Sequence, residues 1–562
     1  MINTQKANNF DAIVIGSGVS GGWAAKELSE RGLKTLVLER GRDVKHGEYP
    51  TAFKDSWDYQ GRGTLTPEQK ARQPKQNKIN LNENNQHWFV DDISHPYLEK
   101  KSFDWIRGYH VGGRSLTWGR HSYRFSDLDF EANAKEGIAV DWPIRYADIA
   151  PWYDHVERFI GVSGRSENLF QLPDGQFLPE MPLNCMEKAF RESMLRQFGR
   201  VVTSGRIANL TKAHNGRGPC QYRARCDRGC PFGGYFSSNS STLPAAYASG
   251  NLTMRPMSVV QKIIYDDKTE KATGVLIKDA ITHEEIEFRA KIIFCCASTV
   301  ATTAILMNST SKRFPHGLGN DSGELGHNLM DHHHMVGASG QIKGGEEDYY
   351  KGRRPSGFYI PRFRNIDANS KQANYLRGFG YQGRASRENW SRGIKELEIY
   401  GADFKADLLA PGPWRMGMTG FGECLPYHQN KLSLNTTKKD EWGFPLVEFD
   451  AEFKDNEAKM RLDMMNAAAE MLEHAGYKNV NTYNRKVSPG LAIHEMGTAR
   501  MGQDAKTSVL NKWNQVHSVK NVFVTDGSCM TSSSCVNPSL TYMALTARAA
   551  AFAADALKKG TL

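Results

Sequence analysis

No apolar run in the 562-residue chain approaches the roughly 18–20 residues that cross a bilayer, so a membrane-spanning helix is excluded. The opening stretch, Met1 to Asn9, is polar and leads directly into a strand pattern, so a signal peptide is not apparent. That leaves a cytoplasmic protein, one whose leader has been trimmed, or one carried to the periplasm with a signal-bearing partner. Internal repeats and low-complexity tracts are missing as well. Excess charge is slight: 72 Lys and Arg face 62 Asp and Glu, a formal +10 spread over a large surface. The densest basic stretch, Lys351, Arg353 and Arg354 with Arg362 and Arg364 beyond, has no interleaved aromatics and no groove-reading motif. It reads as a solvated loop and not as a nucleic-acid site, the alternative being an electrostatic lure for an anionic substrate or acidic partner. Nine cysteines cannot all pair within one monomer. Cys295 and Cys296 sit in an apolar run as small hydrophobes. Cys220, Cys226 and Cys230 form a C-x5-C-x3-C loop, which reads as structural with one disulfide, since metal and iron–sulfur sites usually offer four ligands in tighter pairs.

What is present starts at the amino terminus. A chain of this length holds two to four domain-sized units. Asp11–Ile15 reads as a short buried parallel strand, followed by Gly16-Ser-Gly18-Val-Ser-Gly21 and a helical stretch with Ala24, Ala25 and Leu28 on one face. Gly16 permits the tight turn, Gly18 lets a pyrophosphate approach the backbone, and Gly21 lets helix and strand pack closely. The helix N-terminus offers free N–H groups to phosphates. A second strand, Thr35–Leu38, ends in Glu39, where an acceptor for ribose hydroxyls belongs. The pattern indicates dinucleotide binding and leaves FAD and NAD both open.

Further motifs follow in order: Gly108-Tyr-His-Val-Gly112-Gly113-Arg-Ser115-Leu-Thr-Trp118; Asp141-Trp142-Pro143 with Tyr153; Gly323-Glu-Leu-Gly326-His-Asn328-Leu-Met-Asp331-His332; His494-Glu-Met-Gly497-Thr498-Ala-Arg500-Met501-Gly502; Asn521 to Thr525 with Asp526-Gly527; and Asn537-Pro538-Ser539. Together they resemble the glucose–methanol–choline (GMC) oxidoreductases, in particular the sugar-oxidising branch of pyranose oxidases, glucoside 3-dehydrogenases and fructose and gluconate dehydrogenases. The resemblance covers most of the chain. It implies FAD as cofactor, with Gly112, Gly113 and Ser115 in a second FAD loop and Asp526 and Gly527 against the ribityl–pyrophosphate region. It also implies hydride transfer to flavin N5, oxidising a secondary alcohol of a sugar or glycoside, with C3 of a glucoside as the expected position. Val260, in the strand-forming run Leu252–Ile264, is a further expected cofactor contact. A covalent tether in some pyranose oxidases uses a His just before the loop's Trp; here Thr117 occupies that place, so FAD is expected to be noncovalent. The electron acceptor is oxygen, a quinone or a cytochrome-type partner, and a small partner subunit is among the expected partners.

The chemistry agrees with the resemblance. Alcohol oxidation removes a hydroxyl proton and a hydride from one carbon, and histidine is the side chain best suited to take that proton near neutral pH. His494 is the candidate base and Asn537 the candidate group orienting the hydroxyl and stabilising alkoxide charge. The competing reading of Asn537 is a helix N-cap. Pro538 opens the last helix, expected to run to about Ala554, whose N-terminus would face negative charge on reduced flavin. The run His332-His333-His334 invites a metal reading, against which stands the absence of a carboxylate or thiolate set. A flavin-retaining lyase of the hydroxynitrile-lyase type is the rival function on this scaffold.

The expected architecture is α/β: a discontinuous Rossmann-like FAD-binding domain at 1–45, 100–140, 210–335 and 485–562. Residues 46–99 form an excursion covering the cofactor or contacting a subunit. An α+β substrate domain at 141–209 and 336–484 is built on an antiparallel sheet. Within it, Gly422 to Pro426 and Asn430 to Leu434 read as strand–turn–strand before a helix over 456–475, with Glu423 as a candidate substrate contact.

Overall fold

The computed structural model describes residues 8–345, 354–388, 400–410 and 412–562. Lys351 and Arg353 lie outside them. A seven-stranded sheet forms the base. Leu252–Arg255, Thr35–Leu38, Asn9–Ile15 and Glu285–Cys295 lie side by side and parallel. Thr35–Leu38 is buried at every position and Asn9–Ile15 at all but two, as expected of parallel strands covered on both faces. Glu285–Cys295 is the hub. Its first residues pair antiparallel with Lys271–Asp279, while Ile293–Cys295 pair parallel with Val522–Val524, which carries the carboxy-terminal motifs into the sheet. The helices Val19–Glu30 and Ser539–Lys558 pack together on this sheet, and Ala24, Ala25, Ala549, Ala550 and Ala553 let the backbones approach closely. The last helix extends to Lys558, beyond the expected Ala554.

The run Leu252–Ile264 is not one strand. Pro256 and the left-handed Met257 (φ 53°) break it, so Leu252–Arg255 joins the parallel edge while Ser258–Asp266 turns into an antiparallel meander with Lys271–Asp279.

Above the base lies a six-stranded antiparallel sheet, ordered Lys478–Asn484, Val336–Ile342, Trp414–Gly422, Phe379–Arg387, Phe358–Ile360 and Thr203–Ser204. Its outer face packs on the helix Asp455–His474 through Met460, Met464, Ala468, Met471 and Leu472. The span 141–209 divides: Thr203–Ser204 edges this sheet, but the helix Tyr146–Ile160 packs on the carboxy-terminal helix. The expected strand–turn–strand over 422–434 is also not a hairpin. Trp414–Gly422 belongs to the six-stranded sheet, whereas Lys431–Lys439 pairs with Pro445–Asp450 in a separate three-stranded sheet with Leu98–Glu99. Among the described residues, no helix is long and apolar enough to cross a membrane.

The basic stretch is not a solvated loop where it is described. Arg354 pairs with buried Glu187, Arg364 pairs with Asp463, and Arg362 is buried 3.8 Å from Glu423. Glu423 does not line the cavity described below. Its carboxylate is held by Arg377 (3.0 Å), a fully buried residue that also reaches Glu136 (2.6 Å) and Asn133 (2.7 Å). Burial pushes the Glu423 carboxyl up to about 7, against the pull of Arg377 and Arg362. Arg377→Ala would strand this buried carboxylate and should cost about 3–5 kcal/mol. A lowered thermal midpoint is the expected reading; an unchanged midpoint would show that the pair contributes nothing to stability.

Candidate active site

The first glycine loop closes the parallel edge as its residue types require. A Cβ on Gly21 would lie 1.9 Å from the Gly16 carbonyl oxygen, and Gly16 itself has φ 96°. Gly18 faces open space, and no side chain caps the helix behind it, so its first N–H groups are free for an anion. The second loop meets the first: the Cβ position of Gly113 is 3.6 Å from Gly18 Cα. The Gly112 N–H donates to Ser17 Oγ (2.9 Å), which donates to Glu39 (2.5 Å). Glu39 also accepts from the Gly41 N–H (2.9 Å), and burial raises its carboxyl above the ordinary value. Glu39 thus ties both loops together besides facing the cavity. Ser115 likewise braces the loops, donating to the Gly112 carbonyl (2.5 Å) and accepting from the Ser238 N–H (3.0 Å).

One elongated cavity runs from Glu39, Arg40, Val260 and Tyr109 past both loops and Asp526-Gly527 to Trp118, His121, His494 and Asn537. Asp526 accepts from Thr302 (2.5 Å) and Ser528 (2.6 Å). Pro538 stands at the N-cap of the last helix, with no side-chain cap and no acidic residue in the first turn, so that helix end also leaves donors free. Cover comes from two distant segments. Arg40 sits over the rings of Tyr109 (4.4 Å) and Trp442 (4.6 Å) and 3.7 Å from Asp440, and His95 stacks on Trp442.

At the other end, residues near 330 and 496 pair: Met330 and Met496 exchange backbone N–H···O bonds (2.9 Å each), and the Gly497 N–H reaches the Gly527 carbonyl (3.0 Å). This lays Asp331-His332 alongside His494. Asp331 accepts the N–H groups of Gly490 (2.7 Å), Ala492 (3.1 Å) and His494 (3.1 Å), holding Ile493 in the left-handed region (φ 63°), which a β-branched residue rarely adopts.

His332 fixes the imidazole itself. Its Nε2 lies 2.9 Å from the Ser534 carbonyl, so that nitrogen carries the proton. Burial holds His332 down to about 4, neutral, leaving its Nδ1 a bare acceptor. That acceptor is 2.9 Å from His494 Nδ1, which must therefore be the donor. His494 Nε2 is left with its lone pair, 3.3 Å from the Asn537 amide nitrogen. The Asn537 oxygen accepts from Gln382 Nε2 (2.6 Å), which fixes the amide orientation; Asn537 is not the N-cap. Burial, then His332, His334, Arg114 and His121, keeps His494 well below 6.5 and so unprotonated. His494 and Asn537 come together; His333 and His334 instead pack against Phe453 and Phe421. The Cys220, Cys226 and Cys230 thiols are free and line a separate small cavity, so the expected disulfide does not form.

Residues 10–334 match the amino-terminal family model of the GMC oxidoreductases, and 426–546 match the carboxy-terminal one. The chain belongs to the GMC oxidoreductase family. A 2-methyl-1,2-propanediol dehydrogenase of Mycolicibacterium austroafricanum is 29% identical, over 97% of this chain and 95% of that protein. The fructose dehydrogenase large subunit of Gluconobacter japonicus is 26% identical over 98% of each. Among solved structures, a formate oxidase of Aspergillus oryzae RIB40 shares the fold at TM-score 0.62 and 15% identity, covering 99% of both chains. Pyridoxine 4-oxidase from Mesorbium loti does so at 0.58 and 14%, covering 96% of this chain and 98% of that one.

As a GMC oxidoreductase the protein uses FAD on CH–OH groups, and the cavity fits that cofactor. The open Gly18 cradle suits a pyrophosphate. The Tyr542 hydroxyl, in the first turn of the last helix, is a buried polar atom with no protein partner at the cavity wall. Thr117 offers no ring nitrogen for a covalent link. Two site residues carry little signal in the sequence. His332 ends the Gly323–His332 motif, where the histidine run suggests a metal ligand and not a partner of His494, whereas Gln382 lies on a strand with no motif at all.

Because only neutral Nε2 accepts a proton, flavin reduction should hold steady as pH falls to 6.5 and decline only below it. His332→Phe removes the acceptor that fixes the tautomer and should slow flavin reduction about tenfold to a hundredfold. A decline centred above 6.5, or an unchanged rate in the variant, would contradict this assignment.

Proposed function

We propose that the protein oxidises a secondary alcohol of a sugar or glycoside, with His494 as the base. The observation that carries this reading is the unprotonated His494 Nε2, which accepts from the Asn537 amide across 3.3 Å. A substrate hydroxyl seated beside both, in place of the bond between them, would give its proton to Nε2 and accept from Asn537 Nδ2, which then steadies the alkoxide. The imidazolium formed would keep its Nδ1–H bond to His332. FAD, when bound, supplies the hydride acceptor.

The ceiling supports a polyhydroxylated substrate. On the antiparallel sheet Gln382 reaches Asn537 (2.6 Å) and pairs across from Thr419, so polar side chains stand behind Asn537 on this sheet. The names of two relatives, fructose dehydrogenase large subunit and paromamine 6'-oxidase, agree with a sugar-like substrate. The first of these is also a subunit by name, which supports a small partner subunit and an electron acceptor among oxygen, a quinone or a cytochrome-type protein. C3 of a glucoside is the position to examine first.

Anaerobic flavin bleaching across hexoses, glycosides and polyols tests the reading, with product analysis assigning the carbon. His494→Ala should lower the bleaching rate by about a hundredfold or more while FAD stays bound. Bleaching by no alcohol would favour a flavin-retaining lyase, and full activity in the variant would remove His494 from the mechanism.

A further inference from the structure

Four arginines line the cavity, and they differ in how their charge is met. Arg114 forms a two-point pair with Glu495 (3.0 and 3.3 Å). Arg40 faces Asp440. Arg107 sits at the nucleotide end, bonded to the His95 carbonyl and Tyr109 (3.1 Å), where a pyrophosphate would bring negative charge.

Arg120 stands apart. It is 8% exposed and lies over the Tyr235 ring at 5.1 Å. Nη1 donates to the Trp118 carbonyl (2.7 Å), and Nε is buried with no partner. Among the described residues it has no carboxylate within 4 Å. Its backbone is held at φ 63°, with its carbonyl accepting from the Ala208 N–H (2.9 Å) and Ser122 Oγ (3.0 Å). A nearly buried cation without a counter-ion is costly, and the cost falls when an anion enters beside it. The location says which anion. Arg120 follows Trp118 and precedes His121, which lies close enough to act electrostatically on His494. His121 also stacks on Tyr123, which stacks on Tyr359 opposite Gln382, the residue that holds Asn537, so this stretch of the cavity wall lies at the carbinol end.

We propose that Arg120 forms an anion subsite beside His494 and Asn537, and that the polyhydroxylated substrate carries a carboxylate, as an aldonate or uronate does. Guanidinium is the side chain best matched to a planar carboxylate, and Arg120 brings one with an unpartnered Nε to the cavity wall. This rests on the reading of His494 and Asn537 as the alcohol-oxidising pair, and the experiment separates the two.

The FAD-loaded protein is reduced anaerobically with two matched pairs: D-gluconate against D-glucitol, and methyl β-D-glucuronide against methyl β-D-glucoside. The carboxylate member of at least one pair should show a kcat/KM at least tenfold higher. Arg120→Gln should lower that ratio at least tenfold, and Arg120→Lys should restore part of it. Equal efficiency within both pairs overturns the subsite while leaving alcohol oxidation standing. So does a variant that slows both members alike, which would assign Arg120 to the flavin. If no compound bleaches the flavin, alcohol oxidation of this class fails. The subsite is then read without turnover: gluconate should perturb the visible spectrum of bound flavin in the wild type and not in Arg120→Gln, and no perturbation overturns it.

Discussion

The pairing of the segment around Met330 with the segment around Met496 is the constraint on which the catalytic end depends. It sets Asp331 beneath three backbone N–H groups of the 490–494 loop and His332 against the His494 ring. Neither contact is local: more than 150 residues separate the partners. Burial makes the arrangement directional. With His332 neutral and its Nε2 proton committed to a carbonyl, the proton on His494 has one place to sit, and the lone pair that remains faces Asn537. Dry surroundings keep that lone pair free by disfavouring the imidazolium.

Charge is handled differently along the cavity. At the nucleotide end the donors are backbone groups of a helix with no cap and no acid in its first turn. At the far end a second uncapped helix begins directly after Asn537. Between them, Glu495 neutralises Arg114 within the protein, so that cation ties the second glycine loop to Ser298 and to the residues that follow the strained Ile493 turn. Fixed dipoles and paired ions of this kind need no rearrangement when charge develops, which is why an unpaired buried cation such as Arg120 stands out.

Much was legible in local patterns. The strand, glycine turn, helix and Glu39 lie within about thirty residues, and their spacing is dictated by backbone sterics around a phosphate. His494 and Asn537 were legible as chemistry because only a few residue types take a proton near neutrality or hold an alkoxide. Other readings failed where the decisive partner was distant. Arg362 and Arg364 look like solvent-exposed charge until Glu423 and Asp463 are folded against them. Glu423 looked available to a substrate until Arg377 claimed it. The segments on either side of Pro426 looked like a hairpin, yet they enter different sheets.

The sequence alone determined the family and the cofactor, and it singled out the two polar groups that the fold brings together at one end of the cavity, because each depends on short motifs whose residue types have few substitutes. Tertiary structure alone decided the tautomer of His494, the amide orientation of Asn537 and the counter-ion of each buried arginine. Those depend on which neighbour lies within hydrogen-bonding distance, and the neighbours, His332, Gln382 and Glu423 among them, come from strands and turns that meet only when the two sheets close over one cavity.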